Sequence, residues 1–138
     1  MARLPHRLRV VEALVLVLLA RVLRLRVPMR RWAALLGRTG PATVAPTVGR
    51  LTGAEARVAR AVRSASVRCG ANCLEQAVAA SLMMRLRRRP GVVVIGLDLS
   101  RPDRVPHAWF VGRAGLVLTG GGLDGFRPAS QFGTLEDD

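Results

Sequence analysis

Cys73 and His107 are the residues of this chain best suited to covalent chemistry. Cys73 stands where a helix begins, and His107 opens the run His107-Ala108-Trp109-Phe110-Val111, whose composition predicts a strand. A thiol at a helix N-terminus facing a strand-borne imidazole suits nucleophilic catalysis, because the thiolate attacks while the imidazole moves the proton. The positive end of the helix dipole lies beside the sulfur and favours the thiolate. Taken singly, each residue has a plainer reading. A cysteine on an Ala-rich helix also serves as a small buried hydrophobe, and one histidine as a half-buried polar group. Cys69 lacks the cap-and-helix setting and reads as structural, although its spacing from Cys73 admits a regulatory disulfide. Trp109 reads as core rather than as a stacking platform, and His6 has no visible partner.

The elements that must position these residues follow from pattern. Asn72 suits a helix N-cap and Glu75 the third helical position, so Cys73 falls in the first turn. Leu74, Val78, Leu82 and Leu86 repeat every fourth residue, Ala77, Met83 and Met84 widen that stripe, and Arg85, Arg87, Arg88 and Arg89 complement the negative end of the dipole. Pro90-Gly91 stops the helix. Val92 to Leu99 is β-branched enough for a buried strand, Ser100 to Pro106 reads as a loop, and His107 to Val111 as the next strand with His107, Trp109 and Val111 on one face. Gly112 to Gly115 reads as a turn before a returning strand at Leu116 to Leu118. From Gly120 to Asp138 the chain is Gly-rich and acidic at its end, which predicts loose structure or a partner-dependent tail.

In the N-terminal part, the apolar run Ala13 to Ala20 lies between Glu12 and Arg21, short of the ~20 residues a membrane span needs. Arg21-Val22-Leu23-Arg24 is not a small-residue cleavage site, so a signal peptide does not fit. The segment reads as a core helix with Val11, Val15, Leu18, Val22 and Leu25 inward and Arg21 and Arg24 snorkelling or in solvent, ended by Pro28. Arginines flanking so apolar a helix leave contact with a membrane surface open. A short helix over 31–36 stops at Gly37, and Thr39 to Arg50 reads as a linker or mobile loop. Thr52-Gly53-Ala54-Glu55 has capping-box spacing, and the following helix reaches about Ser66 with Ala54, Val58, Ala61 and Ala65 as its apolar face. The expected organisation is a helical region and linker over 1–50 and a core over 51–138, together forming one compact domain.

Composition narrows the class. Half of the residues are apolar but only 4% are aromatic, so Val, Leu, Ala and Met must fill the interior. The net charge is +13 and every basic residue is arginine, in a composition typical of a GC-rich coding sequence. Such a field attracts acidic peptides, phosphates or anionic lipid. Only Trp32 stands near the arginine clusters, which argues against nucleic acid. Two cysteines without metal-ligand spacing predict no metal, no cofactor and a reduced, cytoplasmic protein.

Asn72-Cys73-Leu74-Glu75-Gln76-Ala77, the arginine-rich end of that helix, the Val-Ile-Gly-Leu strand, Pro106-His107-Ala108-Trp109 and the opening Met29 to Gly37 together resemble the lasso-peptide leader peptidases, short members of the transglutaminase-like cysteine protease superfamily. The resemblance covers most of the chain. It implies an α+β, transglutaminase-like or papain-like fold with helices packed on a small antiparallel sheet. It also implies removal of the leader peptide from a ribosomally made lasso precursor, in company with a leader-recognition protein and a lasso cyclase. Carried over, Cys73 is the nucleophile and His107 the general base and later acid. That family places an acid about a dozen residues after the histidine, and here Thr119 stands there. Thr119 can accept a hydrogen bond but cannot neutralise imidazolium, and Asp124 would serve only if the Gly-rich stretch folds back. The same fold without the acid would suit a non-catalytic adaptor, and the charge alone a basic membrane- or nucleic-acid-surface protein.

Overall fold

The structure is a computed structural model, and it describes residues 4–89, 91–98, 106–120 and 126–133. Four helices pack against an antiparallel sheet of five strands, the α+β class expected from the sequence. Helix α1 (His6–Arg26) is rich in Leu, Ala and Arg, all strong helix formers. It stops because Pro28 forces Val27 into an extended conformation. Helix α2 (Met29–Trp32) tightens into a 3-10 turn over Ala33–Leu36, a looser version of the single helix expected there. Helix α3 (Gly53–Cys69) runs one turn past its expected end, to a left-handed Gly70. Thr52 is its N-cap but makes no side-chain cap, since Glu55 turns instead toward Gly112 and the charge of Arg89.

Helix α4 (Cys73–Leu86) is the centre of the molecule and touches α1, α3, β2, β3 and β4. It is therefore buried on most sides. Ala77 to Ser81, Met83 and Met84 are all buried, whereas Leu86, expected in the apolar stripe, is exposed.

The sheet order is β1-β5-β2-β3-β4, with β1 at Thr39–Pro41, β2 at Val92–Asp98, β3 at Pro106–Val111, β4 at Val117–Thr119 and β5 at Phe126–Phe132. Two expectations fail here. The segment after Gly37 is not a free linker: Thr39–Pro41 pairs with Phe132–Ser130, the Gln131 side-chain oxygen accepts from the Thr43 and Val44 amides, and Thr47 bridges to Leu116. The C-terminal stretch is not loose throughout either, because β5 lies inside the sheet between β1 and β2. Its Arg-Pro-Ala-Ser-Gln composition hides a strand. Pro128 is tolerated because the β2–β5 register shifts between Ile95 and Gly96, and a bulge frees a proline from the ladder. Of the expected loop from Ser100 to Pro106, residues 100–105 lie outside the described residues, as does the acidic end at 134–138, while Pro106 opens β3.

The sheet separates two apolar layers. Val93, Ala108, Phe110, Leu118 and Phe132 face the helices, and Val92, Val94, Trp109 and Val111 form the other layer with Val44, Val117 and Phe126. Full burial of Phe110, Met83 and Met84 contributes about 1.5–3 kcal/mol each, so these side chains fix α4 on the sheet, while Trp109 is buried in the other layer. In α1 the inward residues are Val10, Ala13, Val17 and Ala20. The stripe expected to face the core, Val11 to Leu25, faces outward.

Candidate active site

Cys73 is the first residue of α4, and the capping box before it is complete. The Asn72 side-chain oxygen accepts from the Glu75 amide at 2.8 Å, and a Glu75 carboxylate oxygen accepts from the Asn72 amide at 3.1 Å. Two donors of the first turn are thereby satisfied, which holds the turn that carries the sulfur. Cys73 is half-buried, and among the described residues its thiol has no hydrogen-bond partner.

Glu75 does more than cap. It is 1% exposed, and guanidinium groups of Arg21 and Arg24 grip it at 3.0 and 2.9 Å. Arg21 also donates to the Cys69 carbonyl at 2.9 Å, so one side chain of α1 ties the end of α3 to the start of α4. Burial pushes the Glu75 carboxyl up, but hydrogen bonds from Arg21, Arg24 and the Asn72 amide outweigh it and hold the group below the usual carboxylate range. Two guanidinium groups against one carboxylate leave a surplus of positive charge at the junction of α3 and α4, where Arg21 also meets the Cys69 carbonyl. From the sequence, Arg21 and Arg24 are expected to snorkel or face solvent, without an assigned partner. The readable signal was Glu75 itself, an acid on an apolar helix that must find a cation, opposite two arginines spaced i, i+3.

His107 sits near the start of β3, paired with Gly96 of β2. Its ring lies on the sheet face of Trp109, centroids 4.7 Å apart edge-on, and stacks on Phe126 at 4.9 Å. The Nε2 atom meets the Gly120 carbonyl. A carbonyl only accepts, so Nε2 carries the hydrogen in the neutral ring and Nδ1 keeps its lone pair. That leaves Nδ1 as the basic atom. Gly120 can stand there because it has no side chain: its φ is +110°, and a Cβ would lie 2.5 Å from the Trp109 ring and 2.6 Å from the Ala108 carbonyl. Gly96 likewise leaves room for the indole, with only 2.5 Å from a Cβ to the ring.

The two candidate residues lie at the same end of the helix–sheet layer. Gln76, one turn along α4 from Cys73, shares a cavity of about 510 Å³ with Thr119, Gly120, Leu51, Ala59 and Arg63. Met84, near the other end of α4, shares a different cavity with Arg113, beyond the far end of β3. Thus α4 and β3 run side by side with Cys73 and His107 leading, and the larger cavity opens beside their common end. The thiol packs against the helix-side layer, whereas the imidazole lies against Trp109 and Phe126.

Among the described contacts, Thr119 makes no hydrogen bond to the ring. Its hydroxyl accepts from the Phe110 amide at 3.3 Å, where the β3–β4 register shifts, and the contact to His107 comes from the next residue's carbonyl. A backbone carbonyl leaves no mark in a sequence. Phe126 went unnoticed because it lies in the stretch read as loose. Asp124 is outside the described residues. Cys69 is the last residue of α3, with its thiol donating to the Ala65 carbonyl at 3.1 Å.

A family model described as the transglutaminase-like superfamily matches residues 13–131. No curated protein and no solved structure matches the chain.

Proposed function

The chain belongs to the transglutaminase-like superfamily, and from that premise we propose that it is a cysteine peptidase which removes the leader from a lasso-peptide precursor. What supports the reading is that Cys73 in the capped first turn of α4 and His107 near the start of β3 lie at the same end of the helix–sheet layer, with Nε2 of the imidazole held by the Gly120 carbonyl and Nδ1 without a hydrogen-bond partner among the described residues. In this mechanism Nδ1 of His107 takes the thiol proton while the Cys73 sulfur attacks the scissile carbonyl carbon. The tetrahedral intermediate collapses as the C–N bond breaks, and the imidazolium gives its proton to the leaving amine of the core peptide. The leader remains as a thioester on Cys73. Water, deprotonated by His107, then hydrolyses it and restores the thiol. The Cys73 amide at the free N-terminus of α4 is the natural first donor to the oxyanion.

A leader-recognition protein delivers the precursor in this reading, and a lasso cyclase closes the ring on the freed core. The support is the small size of the described domain, whose helices and central strands are taken up by packing on the two faces of one sheet. The isolated protein should therefore cleave precursor slowly until the recognition protein is added. Mass analysis of leader and core fragments with and without that protein checks this, and fast cleavage that ignores the partner would contradict it. One observation favours a second reading, a peptide-binding adaptor of the same fold. The ring of His107 is held by a neutral carbonyl, and Thr119 stands where an acid is expected. An adaptor would bind the precursor and release no fragments.

A further inference from the structure

Leu4, just before α1, and Leu8, Val11, Val15, Leu18, Val22 and Leu25 on its outward face are each between 45% and 63% exposed. These positions alternate steps of four and three residues, so they form one unbroken stripe along the helix, roughly 30 Å long at the α-helical rise. The opposite face is occupied by α3 and α4, through Val10, Ala13, Val17 and Ala20. A helix apolar on both faces needs a second apolar neighbour. Exposed Arg7 and Arg26 flank the stripe, and exposed Arg30 and Arg31 follow it. Glu12, the one acid on α1, is held by Arg87 at 2.7 Å. The rim is thus cationic, on a chain of net charge +13.

We propose that α1 docks the protein on an anionic lipid surface, lying in the plane of the interface with the Leu4–Leu25 stripe among the acyl chains and its arginines at the phosphates. Charge selects this occupant. A second copy would bring one arginine rim against another, each with a net charge of +13, whereas anionic headgroups complement both. No helix among the described residues is long and apolar enough to cross a membrane, so the stripe rests in the surface rather than spanning it. The inference is independent of the chemistry at Cys73.

The test is co-sedimentation of the full chain with vesicles of phosphatidylcholine and phosphatidylglycerol in equal parts, beside vesicles of phosphatidylcholine alone, near physiological salt. The wild type should bind the anionic vesicles and bind the neutral ones far more weakly. A V15Q/L18Q/V22Q variant, which keeps good helix formers at exposed positions, should lose at least about tenfold in vesicle affinity with an unchanged circular dichroism spectrum and unfolding midpoint. Equal binding by wild type and variant would reduce the effect to bulk charge and overturn the proposal. So would failure of the wild type to bind. A dimer in light scattering that the variant abolishes, without vesicle binding, would assign the stripe to a second copy instead, and retention of an acidic partner protein without vesicle binding would assign it to that partner.

Discussion

Cys69 and Cys73 are four residues apart and have opposite surroundings. Cys69 closes α3, at the negative end of the dipole, and its thiol spends its hydrogen on the Ala65 carbonyl. Cys73 opens α4, beside free amides and the positive end of the dipole. The left-handed Gly70 and the Asn72 cap reverse the helix sense between them. In the proposed mechanism the same side chain is a hydrogen-bonded filler on one side of the turn and the nucleophile on the other. The lesson is that the helix end, not the thiol, carries the chemistry.

The sharpest way to break this contrast is substitution of each thiol. Cys73→Ala is expected to remove all measurable precursor cleavage with the fold intact, while Cys69→Ala keeps most activity. The reverse ranking in a cleavage assay would exchange the roles.

A smaller effect is expected in the clamp that holds the turn. Glu75→Gln should cost about 2 kcal/mol in urea unfolding, less than a fully buried pair because both arginines are about a third exposed. Its pH dependence has a definite sign. The carboxyl lies below its ordinary range in the fold, so the clamp's contribution is fully present above the unfolded value near ~4.3 and is lost as pH falls through the lower folded value. The stability gap between wild type and Glu75→Gln should stay constant from pH 7 to pH 5 and close in stronger acid. A gap that closes between pH 7 and pH 5 would contradict the clamp.

The smallest effect concerns the strand beside His107. Thr119→Val removes the acceptor of a buried amide and should cost about 1 kcal/mol of stability. Cleavage should stay within a few-fold of wild type, because the Gly120 carbonyl holds the imidazole. A large loss of rate at unchanged stability would return the orienting role to Thr119.

What could be read from the sequence divides along the same lines. The α4 cap, the β2 and β3 strands and the shared face of His107 and Trp109 follow local rules, and all stand in the structure. Features made by distant partners were hidden. The α1 helix was recognisable but its inward face was not, since Leu and Val populate both faces and the small residues Ala13 and Ala20 mark the contact. Strand β5 was hidden by Pro128, whose tolerance depends on a register shift against β2. The Gly120 carbonyl depends on tertiary placement that no spacing of letters encodes, whereas the Arg21–Glu75–Arg24 clamp was signalled only by a lone acid on an apolar helix, without its partners.

The central claim is that Cys73 forms the covalent intermediate. Wild-type protein mixed with precursor and recognition protein, quenched in acid during turnover and digested, should yield a leader thioester, a mass increase of the leader minus one water, on the fragment carrying Cys73. A leader adduct on Cys69, or fragments released at the normal rate by Cys73→Ala, would contradict it.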